Sequence, residues 1–238
     1  MVNECKNLEV ILVHGGWSDA SCWSKVIQQL RKHDVLASAT QLCLNSLESD
    51  VLSLAQHIES RSASQLVLVG HSYGGAVITE IASRYESVRA LVYVAASAPV
   101  AGQSFGDFMQ HHPSPVPIVL TPDSYGLLWA NSSAFTNVLA HDLPTEENYL
   151  LHAVQKPVAS ALLGDSVNVE GWRQKQCWYV VAEEDRLFAP ADQHALAKQL
   201  NAKTRSISSG HFVPRSRPEE LSEVILEVVR STVVELNF

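Results

Sequence analysis

The stretch Gln65 to Gly75 reads Q-L-V-L-V-G-H-S-Y-G-G, and it decides the fold. Its apolar run, Leu66 to Val69, is typical of a strand that is buried on both faces of a parallel sheet. Gly70 to Gly74 then fits the pattern G-x-S-x-G, and apolar residues from Ala76 onward continue at helical spacing. The pattern therefore predicts a strand, a sharp turn and a helix, with Ser72 at the turn.

The two glycines that flank this serine have a steric explanation. A strained strand-to-helix turn brings its backbone close to neighbouring segments, so side chains at Gly70 and Gly74 would collide there. The hydroxyl of Ser72 is then expected at the carboxyl edge of the sheet, where open α/β sheets bind their ligands. The alternative is a glycine-containing turn that carries a surface serine without partners.

Strands and helices alternate along most of the chain. Besides the strand before Ser72, we predict strands at Val10 to Val13, Val35 to Gln41, Val88 to Ala95, Cys177 to Ala182 and Lys203 to Ile207. Helical spacing lies between them, for example in Leu47 to Arg61, with Ser46 as a candidate N-cap. This alternation predicts a doubly wound, mostly parallel α/β sheet.

The segment from Pro99 to about Gln176 interrupts this alternation. Prolines divide it into short pieces, and helical spacing occurs at Ser104 to His111, Ser132 to Ala140 and Glu146 to Val154. Because the segment follows a strand at the carboxyl edge, we predict a helical cap at residues 99–176. Residues 1–98 and 177–238 would then form the core.

The cap segment is rich in apolar and aromatic side chains, which either pack within the cap or line a substrate pocket. We expect a small apolar pocket above Ser72. For its lining we select Trp17, Trp129 and Phe212.

Length and composition limit the classes of function. A chain of 238 residues is long enough for one α/β domain with a large core. Its 17 Lys and Arg against 25 Asp and Glu, without a basic run, argue against a nucleic-acid partner. Met1 to Leu8 contain no apolar signal segment, and no later segment is long enough to span a bilayer. We therefore expect a soluble, cytoplasmic protein without a membrane partner.

We expect the four cysteines to be reduced thiols. Cys5, Cys22, Cys43 and Cys177 lie far apart in the sequence, without a C-x-x-C pair. Neither a zinc site nor a disulfide framework is expected from this spacing.

A second strand-turn-helix unit begins the chain. Its strand ends in His14-Gly15-Gly16-Trp17, and the glycines allow backbone N–H groups to face outward, as the binding of an oxyanion requires. We expect the N–H groups of Gly16 and Tyr73 to form an oxyanion hole. The alternative is that Gly15 and Gly16 only turn the chain. For His14 we favour a structural role, because a loop with unpaired amides commonly needs a side chain to hold its shape.

A serine hydroxyl needs an adjacent base to act as a nucleophile. His211 lies in a loop beyond the last strand, and Glu183, Glu184 and Asp185 follow the strand before it. Histidine can accept and return a proton near neutral pH, and a carboxylate on its far nitrogen orients it. We expect Asp185 to be this acid because it reaches furthest past the strand end, with Glu184 as the main alternative.

Other polar residues are weaker candidates. His71 is adjacent to the serine, but neighbours in a sharp turn point apart, so we assign it a structural role. Asp165 lies in the cap segment, outside the sheet framework. His111 and His112 have no Asp, Glu or Cys at ligand spacing, so we expect no metal and no cofactor.

Four segments together resemble the α/β-hydrolase superfamily: H-G-G-W (14–17), G-H-S-Y-G-G (70–75), V-V-A-E-E-D-R (180–186) and S-G-H (209–211). The resemblance covers nearly the whole chain and points to the small capped branch that includes bacterial esterases, plant methylesterases and hydroxynitrile lyases. It implies Ser72 as nucleophile, His211 as base and Asp185 as its partner. It also implies the amides of Gly16 and Tyr73 as the oxyanion hole.

Two departures from the lyase pattern narrow the expected activity. The lyases of this branch carry a lysine after the catalytic histidine and a threonine in the first oxyanion loop, where this chain has Phe212 and Gly15. We therefore expect a serine hydrolase that cleaves a small, fairly apolar carboxylic ester or lactone through an acyl-enzyme intermediate. The alternatives are a lyase of the same fold and a ligand-binding receptor with little turnover.

Overall fold

The computed structural model describes residues 7–234, in which the apolar runs of the sequence form a six-stranded sheet. The strands of this sheet and of a smaller one are β1 (Leu8–Val13), β2 (Leu36–Thr40), β3 (Gln65–His71), β4 (Val88–Val94), β5 (Leu120–Pro122), β6 (Leu127–Ala130), β7 (Val158–Ala159), β8 (Gln176–Ala182) and β9 (Lys203–Ile207). The large sheet has the order β2-β1-β3-β4-β8-β9, and each neighbouring pair is parallel. The predicted parallel α/β sheet is confirmed.

Nine α-helices occur in the described part of the chain, and some of them begin at a side-chain cap. They are α1 (Ser24–Lys32), α2 (Leu47–Glu59), α3 (Gly74–Ile81), α4 (Phe105–His111), α5 (Ser132–Ala134), α6 (Thr145–Ala153), α7 (Pro190–Gln199), α8 (Val213–Ser216) and α9 (Pro218–Val234). The Ser46 hydroxyl accepts a hydrogen bond from the N–H of Ser49, so the predicted N-cap of α2 is confirmed. Pro190 occupies the first turn of α7, where its missing N–H leaves no helical hydrogen bond unmade.

Two apolar layers enclose the large sheet. Side chains of successive strand residues point to opposite faces, so Val67 and Val69 pack on one layer and Leu66 and Leu68 on the other. Helices α1 and α9 cover the first face, and α2, α3 and α7 cover the second. Burial on both faces explains why β3 reads as a continuous apolar run.

The segment of residues 99–176, which we predicted to be a helical cap, is not helical throughout. Helices α4, α5 and α6 lie where helical spacing predicts them, and α5 continues as a π-helix over Phe135–Leu139. Strands β5, β6 and β7, however, form an antiparallel sheet that the sequence analysis did not predict. These strands are two to four residues long, which is too short to show a strand period.

Within residues 7–234, no helix is both long and apolar enough to cross a membrane. Cys22, Cys43 and Cys177 are free thiols. Cys5 and the segment before residue 7, which the sequence analysis also used, lie outside the described residues.

The parallel sheet positions the candidate residues. Ser72 directly follows β3, Asp185 follows β8 and His211 follows β9. Because the strands are parallel, their carboxyl ends meet at the same edge of the sheet. Three distant segments of the chain therefore converge there.

Candidate active site

Ser72 occupies a strained turn between β3 and α3. Its φ of 54° lies in the left-handed region, which non-glycine residues seldom adopt outside functional sites. A Cβ on Gly70 would lie 2.6 Å from the carbonyl oxygen of Gly74, and a Cβ on Gly74 would lie 2.6 Å from that of Val13. The predicted steric reason for both glycines is confirmed.

The side chains of Ser72, His211 and Asp185 form a buried hydrogen-bonded triad. His211 Nε2 lies 2.9 Å from Ser72 Oγ, and His211 Nδ1 lies 2.8 Å from Asp185 Oδ2. An ionised carboxylate only accepts hydrogen bonds, so Nδ1–H donates to Asp185 and Nε2 accepts the hydroxyl hydrogen of Ser72. The arrangement can transfer a proton from Ser72 to His211.

Asp185 is held by donors other than His211. Its Oδ1 accepts hydrogen bonds from the backbone N–H groups of Leu187, at 2.7 Å, and Phe188, at 3.1 Å. Its Oδ2 accepts a further bond from Gln193 Nε2 at 2.8 Å. These donors stabilise a buried anion and fix the oxygen that faces His211.

Sequence reasoning missed Gln193, although a signal was present. This fully buried side chain also accepts a hydrogen bond from the N–H of Ala182 and donates one to the carbonyl of Phe188. In α7 it shares a buried face with Leu196 and Ala197, at the helical spacing of an apolar stripe. A polar residue on such a stripe indicates a specific partner in the core.

The neighbouring acids point away from His211. The carboxylate of Glu183 bonds Ser206 and lies 3.0 Å from His194 Nε2. The carboxylate of Glu184 bonds Ser208. Both side chains are exposed, so the structure brings Asp185 to the histidine and leaves Glu184 at the surface.

His71 supports the backbone of the loop that carries His211. Its Nε2–H donates to the carbonyl of His211 at 2.8 Å, and the two rings are 4.9 Å apart. Complete burial lowers the pKa of His71 well below its ordinary value, so the imidazole is neutral near neutral pH. This geometry fits the structural role that we assigned to it.

The cap segment also contacts the loops that carry Asp185 and His211. His141 Nε2–H donates to the carbonyl of Glu184 at 2.9 Å. Asp142 Oδ2 accepts from the N–H of Gly210 at 2.8 Å. Nothing in the local sequence pattern identifies these contacts, because they join segments that are distant along the chain.

The loop after β1 is held by His14. This buried side chain donates through Nδ1 to the carbonyl of Gly15 at 2.8 Å, and its Nε2 accepts from the N–H of Leu42 at 3.0 Å. Burial lowers the pKa of His14 to about 4, which leaves the imidazole neutral and able both to donate and to accept. The structural role that we favoured for His14 agrees with these contacts.

Gly16 and Tyr73 line the same cavity as Ser72. In the described part of the chain, neither N–H donates a hydrogen bond to another backbone group. A Cβ on the adjacent Gly15 would lie 2.6 Å from Ser72 Cβ, so this position has no room for the threonine of the lyase pattern. Gly16 and Tyr73 thus lie beside Ser72, as the sequence analysis expected, and their role as oxyanion donors stays a prediction.

A cavity of about 250 Å³ opens onto Ser72. None of the described residues that line it carries a charge, and most are apolar, among them Trp17, Phe105, Met109, Ile118, Leu163 and Leu187. Three larger clefts, of about 280, 490 and 560 Å³, do not include any member of the triad. We therefore assign the candidate site to the smaller cavity.

Two of the three residues selected for the pocket lie elsewhere. Trp17 lines the cavity, and its indole N–H donates to the carbonyl of Leu128. Trp129 is exposed on β6, where its indole N–H donates to Asp123. Phe212 is buried behind the triad, with its ring 5.6 Å from that of His71. The cavity wall is formed instead by other residues of the segment 99–176, such as Met109.

No cluster of three or more His, Cys, Asp or Glu side chains that could hold a metal ion occurs among residues 7–234. His111 donates to the carbonyl of Asp107, and His112 lies 3.4 Å from the carboxylate of Asp192.

Comparison with known proteins identifies a matching family and relatives over most or part of the chain. Residues 10–224 match the alpha/beta hydrolase family. The putative chloroplastic methylesterase 15 of Arabidopsis thaliana is 24% identical over 92% of this chain, which spans only 56% of that protein. The carbendazim hydrolyzing esterase of Nocardioides sp. strain SG-4G is 37% identical over 40% of this chain and 44% of its own length.

A solved structure gives the same fold. The pyrethroid hydrolase of Sphingobium faniae JZ-2 matches with a TM-score of 0.78 at 20% identity, over 94% of this chain and 98% of its own.

Proposed function

The chain belongs to the alpha/beta hydrolase family, and we propose that it is a serine esterase that cleaves small, largely apolar carboxylic esters or lactones. Relatives named as esterases and hydrolases support ester hydrolysis in general. The observation that carries the serine mechanism is the buried triad, with Ser72 Oγ 2.9 Å from His211 Nε2.

The triad supports a two-step reaction. His211 Nε2 takes the proton as Ser72 Oγ bonds to the carbonyl carbon, and Asp185 stabilises the imidazolium that forms. When the tetrahedral intermediate collapses, the bond to the leaving oxygen breaks and His211 returns the proton to the departing alcohol. Water then attacks the acyl-enzyme by the same route and releases the acid.

The backbone N–H groups of Gly16 and Tyr73 are suited to bind the oxyanion. Negative charge develops on the former carbonyl oxygen during attack, and preorganised donors stabilise it more than they stabilise the substrate. Each such donor contributes on the order of 10² to 10³ in rate. Both residues line the cavity that contains Ser72, and among the described residues neither N–H has a backbone acceptor outside the helices and strands, which supports this assignment.

The cavity favours a small, uncharged acyl group. Its volume of about 250 Å³ is below the roughly 300–1,000 Å³ that is usual for sites of drug-sized ligands. A carboxylate or ammonium group would lose its hydration there without gaining an ionic partner. In this proposal residues 99–176 act as a cap that covers Ser72 and selects the substrate.

Substitution Ser72→Ala tests the proposal. Hydrolysis of a short p-nitrophenyl ester should fall by at least about 10³-fold, while circular dichroism and urea unfolding stay close to those of the wild type. Ser208→Ala, which removes an exposed hydroxyl at the same edge, is the control and should retain full turnover. Unchanged turnover in Ser72→Ala would contradict the proposal.

A further inference from the structure

Tyr73, whose backbone N–H belongs to the proposed oxyanion hole, has a side chain that is fixed by its own contacts. Its ring is buried and packs edge-on against Phe105, with the ring centroids 5.3 Å apart. Its hydroxyl donates to Asp50 Oδ2 at 3.0 Å. The residue that follows the nucleophile is therefore fixed at both ends, by the turn and by a carboxylate.

Asp50 is a fully buried carboxylate on the apolar stripe of α2, close to Leu47 and Val51. Its Oδ1 accepts hydrogen bonds from the backbone N–H groups of Cys43, at 2.7 Å, and Leu44, at 2.9 Å. A carboxylate in such a place destabilises the fold unless its hydrogen bonds are made. Burial accordingly raises the pKa of Asp50, although these bonds oppose the shift.

The loop of residues 42–44 contacts the other proposed oxyanion segment too. The N–H of Leu42 donates to His14, which in turn donates to the carbonyl of Gly15, next to Gly16. One short loop is thus connected to Gly16 through His14 and to Tyr73 through Asp50. Leu44 has a φ of 58°, a left-handed conformation that the bond from its N–H to Asp50 helps to hold.

The same loop is fixed from the cap side. The carbonyl of Leu44 accepts from the N–H of Ala159 at 2.9 Å, and that of Leu42 accepts from Lys156 Nζ. Val158 lies between Lys156 and Ala159 in the sequence and packs against Gly16. A Cβ added to Gly16 would lie 3.1 Å from Val158 Cγ2. Movement of the loop would therefore be transmitted to the backbone of Gly16.

We propose that Asp50 is a positioning residue that sets the spacing between the N–H groups of Gly16 and Tyr73. It does so by holding the Tyr73 hydroxyl with one oxygen and the loop of residues 42–44 with the other. The inference rests on the proposed function, because spacing matters only if the two donors share an oxyanion. Such donors must lie about 2.7–3.1 Å from the oxyanion, so a small displacement weakens transition-state binding more than substrate binding.

Substitution Tyr73→Phe isolates this effect, because it keeps the ring and removes only the hydroxyl. We expect kcat to fall about tenfold, less than the 10² to 10³ caused by the loss of a donor, with KM within about twofold. Affinity for a boronic acid, which forms a tetrahedral adduct with a nucleophilic serine, should fall by the same factor as kcat/KM. A purely structural role would lower stability without this selective loss.

Tyr85→Phe provides the matched control. The Tyr85 hydroxyl donates to Glu59 at 2.7 Å, so this pair joins the far end of α2 to the segment after α3. The bond has the same chemistry as the Tyr73–Asp50 bond but lies away from the cavity. Tyr85→Phe should leave kcat, KM and boronate affinity unchanged.

Asp50→Asn completes a double-mutant cycle with Tyr73→Phe. Because the two side chains act through one bond, the double variant should lose little more activity than Asp50→Asn alone. Wild-type kcat and boronate affinity in Tyr73→Phe would overturn the inference, and they decide the question even if Asp50→Asn does not fold. If Ser72→Ala is inactive while Tyr73→Phe is fully active, only this inference fails; an active Ser72→Ala would remove the proposed function itself.

Discussion

The carboxyl edge of the sheet and the wall of the cavity are built in different ways. At the edge, Ser72, His211 and Asp185 follow three strands of one sheet and are joined by hydrogen bonds of 2.8 and 2.9 Å. The wall consists largely of residues from the segment 99–176, such as Met109 and Leu163, which make non-directional apolar contacts. In the proposed function, the edge determines the reaction, whereas the wall selects the substrate and can change without loss of the chemistry.

Among variants that compare the edge with the wall, the largest effect is expected from the acid at the edge. Asp185→Asn keeps the shape of the side chain but turns an amide toward His211, which then adopts the wrong tautomer. We expect kcat for a p-nitrophenyl ester to fall by about 10² to 10⁴. The measurement is steady-state kinetics, with circular dichroism as the check on folding.

Glu184→Gln is the control for that variant. Its carboxylate bonds Ser208 at the surface, so kcat/KM should stay within about twofold of the wild type. A larger loss in Glu184→Gln than in Asp185→Asn would show that the wrong acid has been assigned.

The buried histidines should make the edge sensitive to acid. Burial lowers the pKa of His14 to about 4, whereas in the unfolded chain it titrates near 6.5. Between these values the unfolded chain binds a proton that the folded chain does not bind, so the free energy of unfolding decreases as pH falls. His14 accounts for a decrease of at most about 3 kcal/mol. Burial also lowers the pKa of His71, so His71 acts in the same direction.

Urea unfolding at pH 7, 5.5 and 4.5 measures this dependence. Asp50 acts in the opposite direction, because a raised pKa gives stability at low pH that is lost as pH rises through the folded-state pKa. Because His14→Gln removes an imidazole whose pKa is lowered by burial, this variant should lose less stability on acidification than the wild type. The exposed His33→Gln serves as the control, and an equal change in both variants would contradict the assignment to His14.

The smallest effect concerns the wall. Met109→Ala removes apolar atoms from a side chain that lines the cavity, so longer acyl chains should fit. Each additional buried methylene contributes about 0.8 kcal/mol, roughly fourfold in kcat/KM. A series of p-nitrophenyl esters of increasing acyl length measures the shift.

Trp129→Ala is the control for the wall, because Trp129 is exposed on β6 and contacts Asp123. Its chain-length profile should match the wild type. If Trp129→Ala changed the profile and Met109→Ala did not, the cavity wall would be assigned to the wrong face of the cap.

The same contrast explains what could be predicted from the sequence. The positions of Ser72, Asp185 and His211 follow from parallel strands, whose carboxyl ends must meet at one edge, and from glycines that tolerate a crowded turn. Trp129 lies in a strand too short to show alternation and Phe212 in a loop, so both were misplaced because the direction of such side chains depends on tertiary packing. The strands β5 to β7 were missed because they are too short to show alternation.

Asp50 and Gln193 lie between these cases. Each is a buried polar residue on an otherwise apolar helical face, so the sequence contains a local signal that it has a specific partner. The partners, Tyr73 and Asp185, belong to other elements, and only the tertiary structure identifies them.

The most direct test of the central claim is to identify the residue that a fluorophosphonate labels. Mass spectrometry of the intact protein should show one adduct per chain, and tryptic peptides should locate it at Ser72. The adduct should be absent in Ser72→Ala and should form much more slowly in His211→Ala. Ester hydrolysis without an adduct at Ser72, or with an adduct on another residue, would contradict the account.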